Sequence, residues 1–97
     1  MKINDIYEEL VDIAKRLEIT VRKESGKFKS GYCVVDEEKF IVVNKSIPIE
    51  STTAILARIL LDQDIADIYI KPAVREYIEK QKDLYVQESD FNLEVDY

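Results

Sequence analysis

The stretch Ser51–Asp64, STTAILARILLDQD, decides the architecture. From Ala54 to Leu61 only Arg58 interrupts a run of apolar side chains, so a helix here is apolar on nearly every side and belongs inside a fold. At about 100° per residue, Ser51, Arg58 and Asp62 fall in one narrow polar stripe with Ile55 among them, the face left for solvent or a partner. Burying each Leu or Ile contributes on the order of 1.5–3 kcal/mol, which makes this helix the expected anchor of the core.

Upstream of it, Ile3, Ile6, Tyr7, Leu10, Ile13, Ala14 and Leu17 recur at spacings of three and four, predicting an amphipathic helix from about residue 3 to 17. Glu18 to Glu24 alternates in polarity and predicts a strand. Gly31 to Val35 (GYCVV) and Lys39 to Asn44 (KFIVVN) are β-branched and aromatic runs separated by Asp36, Glu37 and Glu38, which predicts a hairpin. The central helix starts between Pro48 and Thr52. Downstream, Ile65 to Ile70 is ambiguous between a helical turn and an extended piece, and Pro72 suits the first turn of a last helix reaching about Lys82. The order is α-β-β-β-α-α, an α+β fold whose simplest form is a small three-stranded antiparallel sheet packed on helices.

At 97 residues, residues 1–82 are expected to form a single domain, with 83–97 as a C-terminal tail. The charge is uneven: the tail carries five of the six net negative charges, and the preceding 82 residues are nearly balanced. An apolar fraction of 46% fits a folded chain, and no apolar run approaches the roughly 18 residues needed to cross a bilayer. The start MKINDIYEEL lacks the apolar core of a signal peptide, so a cytoplasmic location is expected. A single cysteine, Cys33, agrees with a reducing compartment.

The chain has no histidine, which excludes Ser-His-Asp and Cys-His constellations, the HExxH zinc site and any imidazole base. Neither a metal nor a cofactor is expected. A net charge of -6 makes nucleic acid an unlikely partner, although Lys23, Lys27, Phe28 and Lys29 form a local basic, aromatic segment.

GYCVV, VVNKSIP ahead of an apolar helix, and IYIKPAVREYIE together resemble a family of small uncharacterised bacterial proteins, over roughly Gly31 to Glu79. The resemblance implies a bacterial, cytoplasmic single domain and no site residues. A strand ending in Asn before a buried helix also resembles small zincin metallopeptidases. Theirs carries HExxH where this chain has Leu56 to Leu60, LARIL, so that likeness implies at most an inactive relative.

Each candidate site has a plain structural explanation beside it. Cys33 reads as a small core hydrophobe. Arg58 and Asp62 read as an i,i+4 surface ion pair, yet Ile55, in the same stripe among Ser51, Arg58 and Asp62, is the kind of residue found at subunit contacts. Arg75 and Glu76, with Tyr69 and Tyr77 near in sequence, suit helix capping or a polar ligand. In the tail, Phe91, Leu93, Val95 and Tyr97 alternate with Asn92, Glu94 and Asp96, the period of an added strand seeking a sheet edge. The expected function is a non-enzymatic protein-protein interaction module, a homodimer or the partner of another protein, meeting it through Ile55, Arg58, Phe91, Leu93, Val95 and Tyr97. The alternative is a small-molecule-binding protein or a histidine-independent enzyme using Tyr, Arg and carboxylate groups near the last helix.

Overall fold

The computed structural model describes residues 1–28 and 30–95, and from residue 85 onward the backbone alone. The three- and four-residue apolar spacing forms α1 (Ile3–Arg16), which turns Ile6, Tyr7, Leu10, Ile13 and Ala14 inward. Asp5 in its first turn and Lys15 and Arg16 in its last oppose the helix dipole. Glu18, at φ 63°, ends it in the left-handed conformation and turns the chain into β1 (Ile19–Glu24). β2 (Gly31–Val35) and β3 (Glu38–Asn44) follow as a hairpin, then α2 (Ile49–Leu61) and α3 (Pro72–Val95).

The fold is α+β in the expected order, but the sheet is mixed. β3 lies in the centre, antiparallel to β2 from Val35 opposite Glu38 to Gly31 opposite Val42, and parallel to β1 from Ile19 beside Lys39 to Glu24 beside Asn44. The expected all-antiparallel sheet is therefore corrected. KFIVVN carries four successive apolar residues, Phe40 to Val43, and the centre of the sheet is where both faces of a strand are most covered. On the inner face Ile19, Ile41 and Val43 are buried with Leu56, Ala57 and Leu60 of α2, while Val74 and Ile78 of α3 close the core behind. α1 and α2 pack on the sheet, and α3 packs on both helices. No residue of α2 between Thr52 and Leu61 is exposed, as its composition demands.

With β1 and β2 on opposite sides of β3, the connection 25–30 must cross the end of β3. Asn44 holds it there. Its Nδ2 donates to the carbonyls of Gly26 and Phe28, both at 2.9 Å, and its backbone N–H donates to Ser30 Oγ at 2.9 Å. Its Oδ1 accepts from the Ser46 N–H at 2.9 Å, an Asx turn that starts the path to α2. Gly26 sits at φ +147°, a conformation other residues rarely adopt, with its carbonyl aimed at the Asn44 amide.

α3 runs to Val95 and passes the expected boundary at residue 82 without a break. The backbone of Phe91, Leu93 and Val95 is helical, so the added strand expected there is corrected. Nothing after Pro72 is a glycine or proline, and each residue added to an existing helix gains a hydrogen bond at little cost, which outweighs a short alternation of polarity. Tyr97 lies outside the described residues, as do the side chains of Phe91, Leu93 and Val95.

Asn44→Ala removes three side-chain hydrogen bonds and leaves carbonyls facing a void. It should cost about 2 kcal/mol in denaturant unfolding. Asn44→Asp, which points a carboxylate at two carbonyls, should be at least as unstable at neutral pH and recover part of the loss as acid protonates it.

Candidate interaction surface

Asp36 and Glu37 have φ values of 50° and 69°, two successive left-handed residues joining β2 to β3 in the type I′ pattern. A two-residue turn of this kind closes on a hydrogen-bonded pair, here Val35 and Glu38, and pairs then alternate along the hairpin. Cys33 with Phe40 and Gly31 with Val42 are hydrogen-bonded, and Val34 with Lys39 and Tyr32 with Ile41 are not. The N–H and C=O groups of Tyr32 and Val34 therefore point away from β3, along an edge that no strand occupies among the described residues. The side chains on this strand are apolar and exposed, with Tyr32 at 38% and Val34 and Val35 each at 55%. No charge, proline or bulge interrupts GYCVV, the devices by which sheet edges usually discourage pairing. β1, at the other edge, carries Arg22, Lys23 and Glu24.

Cys33 is exposed, which corrects its reading as a core residue. It pairs with Phe40, so both lie on the outer face of the sheet with Thr20, Arg22 and Val42, the face opposite the helices. There the Arg22 guanidinium stands 5.6 Å from the Phe40 ring centroid and covers part of it.

Under the start of β2, Ile55, Arg58, Ile59 and Asp62 of α2 line a cleft of about 260 Å³ with Ser30 and Gly31. Ile55 and Arg58 are half-buried and Asp62 is exposed. The polar stripe expected on α2 thus lies beside the start of β2. The groups expected to gather near the last helix are divided. The Tyr69 carbonyl accepts from Arg16 Nη1 at 3.2 Å beside α1, whereas Tyr77 is near enough to Arg58 of α2 for that charge to act on its phenol. Burial raises the Tyr77 pKa above its ordinary value, and the Arg58 charge partly offsets the rise. Arg75 and Glu76 are exposed. At the same end, Lys71 Nζ binds Glu9 Oε1 at 2.8 Å, a hydrogen bond and charge that hold its amine above the usual lysine range.

Of the basic segment, Lys23 is engaged with its ammonium 5.0 Å from the Tyr7 ring centroid, Lys27 and Phe28 are exposed in the crossing connection, and Lys29 lies outside the described residues. Lys23 and Tyr7 separate two clefts, one of about 680 Å³ along α1 and one of about 260 Å³ lined by Val43, Lys45, Ile47, Ile49 and Thr52. The Tyr7 hydroxyl is buried and has no hydrogen-bond partner among the described residues.

The residues missed by sequence reasoning are Tyr32, Val34 and Val35. Their signal was available as an uncharged pentapeptide between charged neighbours, but only the strand order shows which of its sides is open. Asn44 was visible as the last residue of a strand, without a sign of what it binds.

No family model, curated protein or solved structure matches the chain.

Burial raises the Tyr7 pKa above 10.0, because the neutral phenol is favoured inside the fold. That contribution is complete below about pH 10 and is lost as pH climbs through the raised value, since the unfolded phenol ionises first. Tyr7→Phe should raise stability by about 1 kcal/mol at neutral pH by removing an unsatisfied hydroxyl, and should flatten the alkaline decline in thermal unfolding.

Proposed function

We propose that this chain is a non-enzymatic protein-protein interaction module that receives an extended segment on the outer edge of β2. The observation that carries the reading is the combination, in one strand, of outward backbone donors and acceptors at Tyr32 and Val34 with exposed apolar side chains and no guarding charge. Main-chain pairing along such an edge supplies affinity, and alternate side chains supply selectivity. Ile55 and the cleft beside it extend the surface onto α2, where a half-buried isoleucine shares its cleft with Arg58 and Asp62, as apolar and charged residues do in an interface. A cytoplasmic setting fits both the one exposed thiol and the absence, among the described residues, of a helix long and apolar enough to cross a membrane.

Val34→Pro tests the reading selectively. The Val34 N–H makes no bond to β3, so proline at this edge position blocks the outer ladder and spares the hairpin. With wild-type and variant baits in the source lysate, every protein held by the wild type through this edge should be lost from the variant, whose thermal midpoint should stay within a few degrees. Equal capture by both baits would remove the proposal.

A further inference from the structure

We infer that the segment received at the β2 edge is the β2 strand of a second copy of this chain, joined antiparallel about a two-fold axis at Cys33. This rests on the interaction-module reading above and names its partner.

The pairing follows from the strand. β2 spans Gly31–Val35 and its midpoint is Cys33, so an axis there sets all five residues against their counterparts with no overhang. Tyr32 then faces Val34 of the other copy and Val34 faces its Tyr32, the two residues whose N–H and C=O groups point outward. Four backbone hydrogen bonds close the junction, and the ladder phase set by the Asp36-Glu37 turn is satisfied. Tyr32 and Val34 share one face of β2, so each packs its exposed side chain on the other across the axis. Cys33 meets its own counterpart as a non-hydrogen-bonded pair, at a Cα separation of about 4.5 Å.

Charge selects the antiparallel arrangement. About this axis Asp36 of one copy stands opposite the uncharged Ser30 of the other, so the two acidic turns lie at opposite ends of the junction. Parallel pairing would set the two acidic turns together. The stripe on α2 is consistent, because Ile55, Arg58 and Asp62 line the cleft at the start of β2, and a two-fold sets such a stripe against its own copy with both signs of charge present. Pairing of β2 with the β1 edge of another copy would be head-to-tail and would repeat without closing, and β1 is guarded by charge.

The test uses the full chain. Sedimentation of the wild type should give twice the chain mass at hundred-micromolar concentration, and Val34→Pro should halve it. Should that variant fail to fold, Val34→Lys, at an exposed position, serves in its place. Under a mild copper oxidant, Cys33 should form a disulfide-linked dimer in high yield, independent of dilution while the dimer persists. A Thr20→Cys/Cys33→Ser control, whose thiol sits on the far edge of the same face, should cross-link only by collision and fade on dilution. A wild type that is monomeric at these concentrations overturns the inference, as does a dimer that survives Val34→Pro without cross-linking at Cys33. Monomeric wild type whose client capture is still abolished by Val34→Pro overturns the second copy while the module reading survives. Loss of both removes the two together.

Discussion

The carboxamide of Asn44 holds together a topology that the chain cannot otherwise close. β1 and β3 run parallel as neighbours, so the link from β1 cannot turn back along β3. It passes over the end of that strand to reach the opposite side. A six-residue crossing leaves backbone carbonyls over the sheet end without ladder partners, and buried or half-buried carbonyls need donors. One side chain supplies two of them, while the neighbouring Ser30 hydroxyl takes the Asn44 N–H. The acceptor end of the same amide starts the turn toward α2. Asn combines donor and acceptor at this length, so the strand order, the crossing and the entry to the central helix share one residue.

Elements were legible where the physics is local. The apolar density of residues 54–61 demanded burial, and α2 has it. The three-four stripe of α1, the hairpin between GYCVV and KFIVVN, and Pro72 opening the last helix depend on period, turn chemistry and fixed φ, all of which are properties of short stretches. What stayed hidden is long-range. Nothing local in Ser25 to Ser30 states whether β1 joins β2 or steps past it to β3, since the loop is compatible with both. The end of α3 is hidden for another reason: alternation at period two is a local pattern, whereas the helix that overrides it propagates from Pro72. Cys33 shows the same limit, because a cysteine in a β-branched run is apolar-flanked in sequence whether its face is covered or open.

The two edges of the sheet are unlike. β1 sends Ile19 into the core and Val21 half-way, and its other positions bear charge or a hydroxyl. Its edge is blunted by the same residues that solvate it. β2 sends no side chain into the core: every residue from Tyr32 to Val35 is exposed and Gly31 is half-buried. Its tie to the molecule is the backbone ladder with β3, and its fit to the inner layer is the approach of α2 near Ile55.

That asymmetry bears on why β2 is apolar at all. A monomer needs from this strand only extended backbone and a register, which threonine, lysine or glutamate at the exposed positions would also provide within the roughly 1 kcal/mol span of strand propensity. Val34 and Val35, each 55% exposed, therefore leave more than half of their apolar surface unused by the isolated fold while raising the surface's tendency to associate. The charged turn that follows is strained by two left-handed non-glycine residues, yet it fixes which backbone groups point outward. An apolar composition that burial does not require, on an edge whose phase a tight turn sets, fits a surface shaped by what meets it more than by what lies beneath it.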